Sequence, residues 1–159
     1  MNENRHLLII GAGELGLSVG KLWKKHYPGS IVVAETLTPD KHKILVESGL
    51  IPRLRHRVDS LKYPHILFCI PPSQGSDFQE EATGEPPVYA KEAVTLLFTS
   101  STTVFKESNG GVCDEHSSMA DNPHAMKSRQ VEELILANDG KVVRLAHRKM
   151  TYLNAKNSN

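Results

Sequence analysis

Leu7-Leu8-Ile9-Ile10-Gly11-Ala12-Gly13-Glu14-Leu15-Gly16 is an apolar run that breaks into three glycines spaced G-x-G-x-x-G. Four large aliphatic residues in succession, with no polar alternation, read as a strand buried on both faces. Downstream, Leu15, Val19, Leu22 and Trp23 recur at three- and four-residue intervals, which predicts a helix over 15–26 that stops at Pro28-Gly29. The glycines therefore occupy a strand-to-helix turn, and each has a physical task there. Gly11 permits the tight turn, Gly13 lets a ligand's pyrophosphate approach the backbone, and Gly16 lets the helix pack close to the strand. A helix N-terminus adds free N–H groups and a partial positive charge, both suited to an anion. Gly11, Gly13, Glu14, Leu15 and Gly16 are accordingly the candidate cofactor-binding residues of the turn.

The rest of the chain repeats the alternation. Ile31 to Ala34 is β-branched and predicts a second strand. Residues 39–47 predict a short helix, with Thr38 as N-cap, Pro39 at the first helical position and Gly49 after the end. Further strands are expected over 51–58, 64–70, 94–98 and 141–146. A helix is expected over 123–137, with Val131, Leu134 and Ile135 on one side. Short continuous apolar strands alternating with helices imply an α/β fold: a three-layer, doubly wound parallel sheet of the Rossmann type, in strand order 3-2-1-4-5-6. Two stretches depart from it. Residues 73–87 are polar and broken by Gly75, Gly84, Pro86 and Pro87 where a crossover helix belongs, and the chain stops about one strand after its last helix. The sheet is therefore expected to be incomplete at its C-terminal edge. The domain spans 1–146, and 147–159 is expected to be a polar, disordered tail.

The glycine turn calls for an acidic residue about 20 positions on, and Glu35 follows the second strand there. A carboxylate at this place accepts the ribose hydroxyls of an adenosine and repels a 2′-phosphate, so the expected cofactor is NAD. Lys41 and His42 close by keep NADP open.

Composition narrows the classes. The 159 residues are 39% hydrophobic and 23% charged, with a formal net charge of +1. So balanced a charge gives no drive toward nucleic acid or an anionic membrane, and no apolar run reaches the ~20 residues that span a bilayer. Met1 to His6 leaves no room for a signal peptide. Cys69 and Cys113 form no CxxC pair. A reduced, cytoplasmic setting is the default expectation.

In the second half, Phe98-Thr99-Ser100-Ser101-Thr102-Thr103-Val104-Phe105 precedes Asp114-Glu115 and the helix from Pro123. With the glycine turn, this order resembles the extended short-chain dehydrogenase/reductase superfamily, the NAD-dependent epimerase/dehydratase group, over about residues 6–146. The resemblance implies a Ser/Thr at the strand end that binds the reacting hydroxyl, and Ser101 matches it. It implies Tyr-x-x-x-Lys on the helix, with Tyr as acid/base and Lys holding the nicotinamide ribose. Here Arg129 takes the Lys place, and Ala125 stands where Tyr should be. Phe105 and Lys106 replace the Tyr-Gly of the group's Val-Tyr-Gly. Alanine moves no proton, and arginine binds a ribose or phosphate but stays charged. The chain thus resembles an atypical member, and the missing parts suggest a truncated or splice-variant product. The expected function is NAD(P) binding, with oxidoreductase or epimerase chemistry on a small or sugar-like substrate. The alternative is a non-enzymatic dinucleotide-binding sensor or interaction module.

Other residues have a plainer role beside a functional one. His124, beside the vacant Tyr place, is a substitute acid/base or a solvent-facing histidine at a helix start. Ser101 binds a ligand or caps the backbone. Arg53, Arg55 and Arg57 alternate along the third strand, and charges on an edge strand block edge-to-edge pairing. Asp114, Glu115 and His116 are sequential neighbours, which rarely converge on one metal ion.

Overall fold

The computed structural model describes residues 5–55, 57, 61–70 and 93–146. The strands are β1 (Leu7–Ile10), β2 (Val32–Thr36), β3 (Ile51–Leu54), β4 (His65–Phe68), β5 (Thr95–Ser101) and β6 (Lys141–Leu145). They form one sheet in the order β3-β2-β1-β4-β5-β6, with every pairing parallel. Among the described residues the helices are α1 (Glu14–His26), α2 (His42–Glu47) and α3 (Pro123–Ala137). The three-layer, doubly wound fold of the Rossmann type and its expected strand order are both present.

Alternate residues of β1 feed two cores. Leu8 and Ile10 join Val33, Ile66, Phe68 and Phe98 against Val131 and Ile135 of α3. Leu7 and Ile9 join Val32, Ala34, Leu45 and Leu67 on the opposite face, where Leu17, Val19 and Trp23 of α1 close over them. All four residues of β1 are buried, which is why the strand carries no polar alternation. At roughly 1.5–3 kcal/mol per fully buried aliphatic side chain, this central strand is a major contributor to the fold.

Several sequence expectations need correction. Leu15 and Leu22 of α1 are exposed, at 40% and 57%. The helix buries Gly16 and Gly20 instead, with a Cβ at Gly20 falling 2.7 Å from Leu50. Small residues bring α1 close to the sheet, so its large apolar residues need not all face inward. Thr38 does not cap a helix with its side chain; its Oγ1 donates to Asp40, and Pro39–Lys41 form a 3₁₀ turn ahead of α2. β3 ends at Leu54, so Arg55 lies in a turn and Arg57 beyond the strand. The three arginines do not share one strand face. β5 runs to Ser101, three residues past its expected end.

Among the described residues β6 is the edge strand beside β5. Val142 packs against the α3-side core, and Arg144 reaches Glu132 of α3. Val143 and Leu145, on the opposite face, are 42% and 39% exposed. The expectations for 73–87 and for the tail 147–159 lie outside the described residues.

Candidate functional site

β1 and β4 are neighbours from which the connections run in opposite directions. The crevice beyond their carboxyl ends is where doubly wound sheets bind ligands. The glycine turn follows β1, and Cys69-Ile70 follows β4. Gly11 has φ +92, and a Cβ on it would stand 2.7 Å from Ile70 Cγ1. Only glycine takes that conformation at low cost. A Cβ on Gly16 would stand 2.9 Å from the Gly11 carbonyl oxygen, so α1 begins in contact with the turn. Gly13 differs: it is exposed, and a Cβ there would meet nothing within 4 Å. The open space lies where a ligand's phosphates would approach.

Gly13 is also the N-cap of α1, and no side chain caps the helix. The N–H groups of Glu14, Leu15 and Gly16 precede the first i→i−4 bond, which runs from Leu17 to the Gly13 carbonyl at 2.9 Å. Glu14 and Leu15 present exposed side chains beside this turn. These features fit a pyrophosphate: a Cβ-free floor, open space above it and a helix start with donors to spare.

Glu35 sits directly against the turn. Its carbonyl oxygen accepts from Gly11 N at 3.1 Å and Ala12 N at 3.0 Å. The side chain is buried, and its Oε2 accepts from Arg53 Nη2 at 2.8 Å and Nε at 3.2 Å. Glu35 lies within β2 rather than after it, and sequence reasoning missed its partner, because β2–β3 register alone sets Glu35 opposite Arg53. His42 meets Thr36 Oγ1 at 2.8 Å, while Lys41 is exposed.

The other candidates cluster where β5 meets α3. Ser101 Oγ accepts from Thr103 N at 3.2 Å and Thr103 Oγ1 at 3.0 Å, capping the 3₁₀ turn Thr102–Val104. Ala125 is fully buried, and His124 beside it is exposed. Ser100 escaped sequence analysis. It lies two residues beyond Phe98 on the same strand face, toward α3, and its Oγ is buried without a hydrogen-bond partner. Arg129 Nε is likewise buried and unpartnered. Among the described residues these are the buried side-chain polar atoms left unsatisfied, a state that costs free energy unless another group completes it.

Cys69 lies at the crevice floor. Burial raises its thiol to about 11, against a smaller opposing effect of a hydrogen bond with Thr99, so it is a protonated, inert group at neutral pH. Asp114 Oδ1 accepts from His116 N and Ser117 Oγ, folding its own loop. No group of three or more His, Cys, Asp or Glu able to hold a metal occurs among the described residues, nor does any helix among them have the length and apolarity to cross a membrane.

No protein-family model and no curated protein matches the chain. Solved structures do. A functionally unknown conserved protein from Silicibacter pomeroyi shares 20% identity with it at a TM-score of 0.70, over 87% of this chain and 52% of the other. UDP-glucuronic acid 4-epimerase from Bacillus cereus, solved in complex with NAD, shares 15% identity at a TM-score of 0.64, over 89% of this chain and 56% of the other. The chain spans about half the length of these proteins, and the likeness is one of fold.

Proposed function

We propose that the chain is a nicotinamide-dinucleotide-binding protein of the atypical epimerase/dehydratase type. One observation carries the reading: the glycine turn at the switch point, open above Gly13, with uncapped donors at the start of α1. In this reading Gly11, Gly13 and Gly16 form the floor of the pyrophosphate site. The N–H groups of Glu14, Leu15 and Gly16 supply donors, and Glu35 stands at the ribose end. Arg129 and Ser100 offer unsatisfied polar atoms toward the far end of the crevice. The neighbour solved with NAD supports the choice of ligand class.

A bound nicotinamide dinucleotide supplies a hydride donor or acceptor. The described residues supply less of what turnover needs. Ala125 moves no proton, Ser101 Oγ is engaged by Thr103, and His124 is exposed at the start of α3. The arrangement therefore supports binding more strongly than catalysis, as in a sensor or interaction module.

Calorimetric titration of the purified chain with NAD, NADH, NADP and NADPH tests the proposal. Wild type should bind at least one dinucleotide, and Gly13→Val should abolish binding by filling the open space. Because a Cβ at Gly13 meets no protein atom within 4 Å, the variant should keep the wild-type circular dichroism. Equal binding by both proteins, or no binding by either, would overturn the reading.

A further inference from the structure

The end of the sheet opposite the crevice carries a pocket of its own. α1 leads there from the glycine turn, a path of about 20 Å, and its last turn meets the residues that precede β1 and β2. Arg5, His26, Tyr27, Pro28, Gly29 and Ser30 line an open pocket of 240 Å³. The carbonyls around it are already engaged. Tyr27 O accepts from Ser30 N at 2.9 Å and Ser30 Oγ at 2.7 Å, and Lys24 Nζ donates to the Pro28 and Ser30 carbonyls at 3.2 and 2.8 Å. Donors remain. Gly29 is exposed, its N–H makes no hydrogen bond among the described residues, and a Cβ on it would meet nothing within 4 Å. Arg5 holds its guanidinium 4.8 Å from the centre of the Tyr27 ring, and its carbonyl accepts from Trp23 Nε1 at 2.8 Å, which fixes the backbone behind it. Charge sorts the same way. From Arg5 to Ser30 the chain carries Arg5, Lys21, Lys24 and Lys25 against Glu14, and Glu14 stands at the other end of α1. Among the described residues no carboxylate pairs with Arg5, Lys24, Lys25 or His26. The helix dipole accounts for Lys24 and Lys25 in the last turn. It does not account for Arg5, which comes from the segment before β1.

We propose that this pocket is an anion site separate from the dinucleotide crevice, and that it takes a phosphate monoester group. The Arg5 guanidinium and the Gly29 N–H donate to the phosphate oxygens, and His26 stands at the rim. A planar guanidinium matches phosphate geometry, and its hydrogen bonds to an ionised acceptor are the stronger kind. Lys24 holds a positive charge behind the loop and at the same time occupies the carbonyls that would repel an anion. With no carboxylate paired to these cations, binding displaces no ion pair. The pocket is smaller than the roughly 300–1,000 Å³ of sites for drug-sized ligands, which suits a phosphate and the first atoms of its ester rather than a whole dinucleotide. The site stands on its own residues and does not depend on what the crevice binds.

The test is titration of the full chain with inorganic phosphate and with phenyl phosphate at constant ionic strength, followed by proton–nitrogen amide spectra. The Gly29 amide should shift and saturate with phenyl phosphate, and more weakly with inorganic phosphate, which lacks the ester's ring. Arg5→Gln should weaken binding about tenfold, the scale of one charge-assisted hydrogen bond. Arg5 is exposed and the substitution keeps the carbonyl that Trp23 binds, so the variant should retain the wild-type melting temperature. Lys106→Gln removes an exposed cation at the carboxyl end of the sheet and should leave phosphate binding unchanged. Gly13→Val separates this pocket from the crevice, and the Gly29 response should survive it. Loss of that response in Gly13→Val would put the phosphate in the crevice and overturn the inference. So would a Gly29 amide that ignores both phosphates or answers chloride equally, or an Arg5→Gln variant that binds as tightly as wild type.

Discussion

At the residue scale, the glycines of the turn were legible because each has a cost that only sequence position and backbone geometry set. Gly16 separates cleanly by experiment from Gly20, a glycine farther along α1. Gly16→Ala places a methyl 2.9 Å from the Gly11 carbonyl oxygen and 2.9 Å from Ile9 Cγ2, so backbone must move. We expect a loss of about 1–3 kcal/mol in urea or thermal unfolding, the usual scale of overpacking. Gly20→Ala meets the tip of Leu50, a side chain that can turn, and should cost less. An equal cost at both positions would show that close approach of α1 to the turn is not what Gly16 provides. The partner of Glu35 was not legible: nothing local to residue 35 announces an arginine brought opposite by strand register. Cys69 shows the same limit. Its place in an apolar run implied burial, but the size of the effect depends on both sheet neighbours. The folded thiol lies near 11 against an ordinary 9.0. Below pH 9 folded and unfolded states both hold the proton. As pH rises from about 9 to 11 the unfolded thiol ionises first, so stability falls across that window. Cys69→Ala should flatten this part of a stability–pH curve. Thiol labelling at pH 8 should modify exposed Cys113 and spare Cys69 until the chain unfolds.

At the element scale, legibility followed local signals. α3 runs over the expected residues, because Asn122 accepts from Ala125 N as an N-cap and Pro123 opens the first turn. Asn122→Ala should cost about 1 kcal/mol. α1 was placed well along the chain and the close approach at Gly16 was legible in the motif, but a large-residue pattern does not reveal that Gly20 makes a second such contact while Leu15 and Leu22 stay exposed. The join between α3 and β6 was invisible in sequence. Glu132, only 3% exposed, accepts from Arg144 Nε at 3.0 Å and Nη2 at 2.7 Å, and Arg144 lies over the Phe105 ring. The carboxylate in turn holds the arginine's pKa above its ordinary value. Removing one partner of such a pair strands a buried charge, and the usual cost is roughly 3–5 kcal/mol. Arg144→Met should therefore destabilise strongly in denaturant melts, by about this range, because the carboxylate it strands is the more buried partner. Glu132→Leu/Arg144→Met should recover most of the loss, since an apolar pair needs no compensation. A double variant as unstable as the single would mean that the ion pair's own attraction, rather than a stranded carboxylate, sets the cost.

At the scale of the whole molecule, strand order was readable because a right-handed crossover between parallel strands leaves few topologies open. Whether the crevice works on a substrate was less so, since that depends on groups from β5 and α3 meeting in space. Their arrangement leads to the last prediction: little or no ordinary dehydrogenase turnover. A positioned acid–base group typically contributes 10²–10⁴-fold in rate. Ala125 supplies none, and its full burial leaves a tyrosine no space in the present packing. Restoring the pair implied by the resemblance, Ala125→Tyr with Arg129→Lys, should therefore not suffice, and should lower the melting temperature. The measurement follows NADH absorbance with nucleotide-sugar and small alcohol substrates in wild type, His124→Ala and the double variant. Wild-type turnover that disappears in His124→Ala would refute the prediction and make His124 the acid/base, reached from its exposed position when substrate binds. Turnover that survives His124→Ala would place the proton-transfer group elsewhere, and Ser101, freed from Thr103 by a substrate hydroxyl, would be the next residue to replace. Dinucleotide binding without turnover in any of the three proteins is the expected result. It would assign the crevice to recognition of the cofactor, with Ser100 Oγ and Arg129 Nε as the next atoms to test for contact with it.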